Sequence, residues 1–95
     1  MKYEVLHLIS VITTNKKVVS CELGEEIAML NMDDGVYYGL NTVGATIWNL
    51  IQEPKTVAEV LEVLLDEYDV EEKQCKNDLI NLLQELQDKG LIEIK

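Results

Sequence analysis

The hydrophobic pattern changes character near residue 41. Before it, apolar residues come in short runs rich in strand formers and broken by turn residues. After it, they recur at helical spacing. Residues 18–23, Val-Val-Ser-Cys-Glu-Leu, and 26–32, Glu-Ile-Ala-Met-Leu-Asn-Met, predict two strands joined as a hairpin at Gly24-Glu25. Asp33-Asp34-Gly35 is the next turn, because Asp-Gly supplies the positive backbone angles that a tight hairpin needs. A third strand follows in Val36-Tyr37-Tyr38-Gly39-Leu40. The stretch from Val5 to Thr14 also reads as extended, with Leu6, Leu8, Ile9, Val11 and Ile12 apolar. Its pairing partner is not written in the pattern.

Asn41 is suited to cap a first helix, whose Val43, Ile47, Leu50 and Ile51 share a face with Trp48 beside them. Gly44 inside this helix costs about 1 kcal/mol relative to alanine, which suggests close packing against a neighbour. Glu53-Pro54 ends the helix, since a residue before proline disfavours helical angles. Thr56 and Glu59 have the spacing of a capping box for a second helix, with Val57, Val60, Leu61, Leu64, Leu65 and Tyr68 as its apolar set. A third helix covers about residues 71–89, with Cys75, Leu79, Leu82, Leu83 and Leu86 as its stripe and Lys89-Gly90 as its stop. Leu91-Ile92-Glu93-Ile94 is a last short extended segment, expected as a wing strand against the sheet or the helices. The expected class is α+β: a three-stranded antiparallel sheet followed by three helices, arranged as a winged helix-turn-helix. That fold hosts many functions and constrains chemistry weakly.

A chain of 95 residues with 47% apolar content is expected to form one domain, spanning 1–95, with residues 1–17 as an extended N-terminal segment of open role. No apolar run approaches the roughly 18 residues needed to cross a bilayer. The start, Met1-Lys2-Tyr3-Glu4-Val5, is a poor signal peptide because Glu4 and His7 interrupt its apolar stretch. A cytoplasmic protein without membrane contact is therefore expected. Cys21 and Cys75 lie far apart with no CxxC neighbour and read as free thiols in that reducing compartment.

Net charge is −10, from 18 acidic and 8 basic residues, and every basic residue is lysine. Nucleic-acid binding needs a basic face and commonly arginine. On the third helix Lys73, Lys76 and Lys89 are outnumbered by Glu71, Glu72, Asp78, Glu85 and Asp88. A winged-helix transcription regulator, which the architecture alone permits, is disfavoured on this ground, and no nucleic-acid partner is expected. The charge keeps a small domain soluble, or else favours a neutral or basic partner.

Catalytic constellations are missing from the sequence. His7 is the one histidine, and Ser10 and Ser20 lack a nucleophile-elbow context. Gly24, Gly35, Gly39, Gly44 and Gly90 are scattered and form no phosphate loop. The carboxylates Glu62, Asp66, Glu67, Asp69, Glu71 and Glu72 lack calcium-loop spacing and read as a solvated helix face. No enzyme activity, cofactor or metal is expected.

The third strand admits two readings. Alternation puts Val36, Tyr38 and Leu40 on one face and Tyr37 on the other. In one reading Tyr38 is core and Tyr37 packs against the far side of the sheet. In the other the strand is an exposed edge that accepts an extended peptide, with the third helix walling the groove. The apolar arc of that helix is wider than a single seam requires. Part of it must be core, and the sequence does not say which part.

The segment Asp34-Gly35-Val36-Tyr37-Tyr38-Gly39-Leu40-Asn41, then Val43-Gly44 and Ile47-Trp48, resembles the central signature of the PqqD-like family. Thr56-Val57 through Tyr68-Asp69-Val70 resembles that family's second helix and its exit. The likeness covers about residues 18–94, and its most specific part is Tyr-Tyr-Gly-Leu-Asn with a tryptophan seven residues after the asparagine. The resemblance implies a leader-recognition element for ribosomally made, later modified peptides, most similar to members from lasso-peptide pathways. The leader would add as a strand between the third strand and the third helix. It would place Val36, Tyr37, Tyr38 and Gly39 on one wall and Cys75, Asp78, Leu79, Leu82 and Leu86 on the other. The implied partners are a precursor leader peptide and a separate leader peptidase or other modifying enzyme. The alternative is a structural subunit of a biosynthetic enzyme complex.

Overall fold

In a computed structural model, which describes residues 8–95, the turns expected at Gly24 and Gly35 form with φ of 68° and 73°. A side chain resists this left-handed region, and glycine enters it freely. The turns fold β2 (Val18–Leu23), β3 (Glu26–Asn31) and β4 (Tyr37–Leu40) into an antiparallel sheet of order β2-β3-β4. Cys21 pairs with Ala28, and Ala28 with Gly39; Met29 pairs with Tyr38 and Ile27 with Leu40. Alternation then separates the faces. Ile27, Met29 and Leu40 turn inward and are buried, whereas Val19 and Tyr37 face out and are exposed. The readings of the start as a signal peptide, of His7, and of Val5 and Leu6 fall outside the described residues.

The helical half follows its cap signals. In α1 (Thr42–Leu50) the Asn41 side chain accepts the Gly44 amide at 2.9 Å. A Cβ on Gly44 would lie 2.9 Å from Leu40 Cδ2, so the close neighbour implied by that glycine is the end of β4. In α2 (Val57–Glu67) both halves of the Thr56–Glu59 capping box are present. The third helix, α3 (Glu72–Asp88), gives way at Gly90, whose φ is 74°. Trp48 is buried, as its place beside the apolar face of α1 suggests. Its Nε1 finds no partner among the described residues. A buried donor left unpaired costs about 1–3 kcal/mol, a cost that burial of the large ring has to offset.

A second three-stranded sheet lies outside the sequence expectation. It has the order β5-β1-β6, with β1 (Val11–Thr14) between β5 (Lys55–Thr56) and β6 (Ile92–Ile94). Ile12 is opposite both Lys55 and Ile94. The terminal segment thus pairs with the N-terminal strand and not with the main sheet. The α+β class and the three-stranded antiparallel sheet stand, but this topology does not establish the winged helix-turn-helix label. The N-terminal segment also serves α2, since the amides of Val57 and Ala58 donate to the carbonyls of Ser10 and Leu8 at 3.0 and 2.9 Å. Such first-turn amides have no partner within the helix itself.

Two asparagines fix the end of α3 against the sheets. Asn15 Nδ2 donates to the Gly90 carbonyl at 2.7 Å. Asn31 is 4% exposed; its Oδ1 accepts the Asp33 amide at 2.9 Å and its Nδ2 reaches the Lys89 carbonyl at 3.5 Å. Both bonds reach the C-terminal end of α3, one from the residue after β1 and one from the last residue of β3. Leu79, Leu83 and Leu86 of α3 close the core against β3, α1 and α2.

Candidate functional site

Strand β4 has β3 along one edge and no strand along the other among the described residues. The Asn31 amide donates to the Val36 carbonyl at 3.0 Å. In an antiparallel ladder, residues bonded to the partner alternate with residues that are not. Tyr38 and Leu40 therefore turn their backbone groups toward β3, and Tyr37 and Gly39 present theirs at the free edge. An open row of this kind is a template for another strand.

Beside that edge lies a cavity of about 460 Å³. Tyr38, Gly39 and Leu40 contribute one wall, and Gln74, Cys75, Asp78, Leu79 and Leu82 of α3 the other. Asn41, then Val43, Gly44 and Ile47 of α1, Leu64 of α2, and Tyr68 and Val70 beyond it complete the lining. Tyr68 Oη and Thr46 Oγ1 share a hydrogen bond at 2.9 Å, tying the exit of α2 to α1 at this site. The lining is mainly apolar with a few polar groups, the usual make-up of a ligand site.

Two titratable groups in the walls are perturbed. The Tyr38 hydroxyl is pushed up to about 12, first by burial and then by the hydrogen bond and negative charge of Glu85. Lys89 Nζ stands 5.4 Å from the centre of the same ring, a cation–π contact. Tyr38 is thus clamped between β4 and the last turns of α3. Burial pushes the Cys75 thiol up as well, and the Asp78 carboxylate adds to this. Among the described residues no group of three or more His, Cys, Asp or Glu is placed to hold a metal ion. No described helix is long and apolar enough to cross a membrane.

Of the nine residues the sequence singled out, six line the cavity: Tyr38, Gly39, Cys75, Asp78, Leu79 and Leu82. Val36, Tyr37 and Leu86 do not. Val36 precedes β4 and is 39% exposed, Tyr37 sends its ring to the outer face of the sheet at 74% exposure, and Leu86 is sealed in the core. The contribution of α1 and α2 was not foreseen. Val43 belongs to the apolar face of α1 yet is 41% exposed where it opens on the cavity, and periodicity marks it as apolar without showing it uncovered.

An open-edged antiparallel sheet facing a helix across an apolar groove defines an α+β domain with a groove beside its sheet edge. The chain belongs to the PqqD family: the family model described as Coenzyme PQQ synthesis protein D matches residues 26–92. No curated protein matches it. Among solved structures it is similar to TbiB1 in complex with the TbiA(beta) leader peptide. The two are 33% identical with a TM-score of 0.81, over 85% of this chain and 94% of the other. A lasso peptide synthetase B1 complexed with the leader peptide shares the fold. Its TM-score is 0.77 at 22% identity, over 86% of this chain and 96% of that one.

Proposed function

We propose that this protein binds the leader segment of a ribosomally synthesised precursor peptide in lasso-peptide biosynthesis. In this reading the leader adds as a strand along β4 and lies against α3. The protein then delivers it to a separate leader peptidase or other modifying enzyme, and is itself a recognition module without catalysis or cofactor.

The observation that carries the reading is the free edge of β4 beside an apolar cavity walled by α3. The amides and carbonyls of Tyr37 and Gly39 offer four main-chain hydrogen bonds to an extended peptide, whatever its sequence. Cys75, Leu79 and Leu82 supply the apolar surface that selects its side chains. This division, affinity from backbone and specificity from pockets, is how added strands are recognised. The likeness to TbiB1, whose structure contains a leader peptide, supports the same assignment.

The test is a titration of fluorescent leader, from the precursor encoded beside this protein, read by anisotropy with the native chain and with Gly39→Pro. Proline removes an amide that faces away from β3, a position that edge strands tolerate. Saturable binding by the native chain, and its loss in a folded Gly39→Pro variant, are expected. Undiminished binding by that variant would reject strand addition at β4, and no binding by the native chain would reject leader capture.

A further inference from the structure

Asp78 differs from the other side chains of the α3 wall. It lies one helical turn from Cys75 and one from Leu82, so a carboxylate stands between two apolar side chains on one face of the helix. Its hydrogen-bond partner is a neutral group, the Gln74 amide, whose Nε2 donates to Oδ1 at 2.9 Å. The ion pairs among the described residues are Lys17–Asp33 and Lys55–Glu53, so no described lysine pairs with Asp78. Glu85, two turns further along, is differently placed. It is engaged by the Tyr38 hydroxyl, with Lys89 over the same ring.

Asp78 and its Gln74 contact are exposed in the free protein, and a peptide laid along this wall would displace part of the water around the carboxylate. Removing a carboxylate from water without a counter-charge is costly, and a cationic side chain arriving with the peptide cancels that cost. The net charge of −10 further favours a basic visitor. Resting on the leader-capture reading, we propose that Asp78 is a specificity-determining residue. It pairs with a lysine or arginine of the bound leader inside an otherwise apolar contact.

This predicts coupling between one residue of the protein and one of the peptide. The probes are the fluorescent leader from the neighbouring precursor and a set in which each Lys or Arg is replaced singly by Gln. Asp78→Asn keeps shape and the Gln74 contact while removing the charge. It should weaken binding about three- to tenfold at low salt, as expected for one partly desolvated ion pair. One Lys or Arg replacement should weaken the native complex by a similar factor and have little further effect on Asp78→Asn, because interacting sites are not additive. Raising the salt concentration should narrow the difference.

Unchanged affinity in Asp78→Asn, or a loss that couples to no basic leader residue, would overturn the pairing. So would a leader that binds tightly with no Lys or Arg. In each case saturable binding that Leu82→Ala weakens would leave leader capture standing. Failure of the native chain to bind would remove both.

Discussion

Helix α3 sends apolar side chains in two directions, and they meet different surroundings. Leu79, Leu83 and Leu86 are at most 2% exposed and are packed into the core between the main sheet and the other helices. Cys75 and Leu82 are only partly covered and open on the cavity beside β4. Leu79 touches both regions, marking where the core ends and the groove begins. A helix that only closed a core would need the first set alone. The second keeps part of its apolar surface in contact with water; burying a wholly exposed leucine is worth about 1.5–3 kcal/mol, and half-buried Leu82 retains a fraction of that. That free energy remains available for binding.

Truncation should separate the two faces of α3 most visibly. Leu83→Ala should cost about 2–5 kcal/mol of folding stability, the range for a large-to-small change in a packed core. A urea melt reads this directly, and leader affinity of the fraction still folded should change little. Leu82→Ala should do the reverse. Its affinity loss is about 2 kcal/mol, the scale of an interface anchor, with a smaller effect on the melt. Equal destabilisation by both substitutions would erase the distinction between the faces.

A smaller effect sharpens the same boundary. The thiolate is the reactive form of cysteine, and burial followed by the Asp78 charge raises the Cys75 pKa. Near neutral pH, Cys75 therefore holds less thiolate than an ordinary thiol. Iodoacetamide should modify exposed Cys21 faster than half-buried Cys75, and saturating leader should slow Cys75 further without affecting Cys21. Equal protection of both thiols would place the peptide elsewhere.

Local signals in the sequence were reliable where the structure depends on local chemistry. The turns at Gly24 and Gly35, the Asn41 cap, the Thr56–Glu59 box and the stop at Gly90 each follow from residues close in sequence. The second sheet was not legible, because its pairs join distant residues: Val11 with Thr56 and Ile12 with Ile94. One of its strands is only two residues long and doubles as the cap of α2, so no alternating pattern announces it. The walls of the groove were legible in part. The apolar arc of α3 shows that some side chains are surplus to a single seam, but periodicity does not tell which edge faces the core. The resemblance implies a groove position for Leu86, whereas the side chain is buried in the core. It implies the same for Tyr37, whose backbone and not its ring faces the open edge.

Strand addition depends on the free edge of β4, and amide hydrogen exchange at that strand tests it most directly. In the free protein the amides of Tyr37 and Gly39 should exchange faster than those of Tyr38 and Leu40, which point toward β3. Saturating leader should slow Tyr37 and Gly39 strongly and leave the other two nearly as they were. Exchange at Tyr37 and Gly39 that stays at its free rate in the saturated complex would contradict strand addition at this edge.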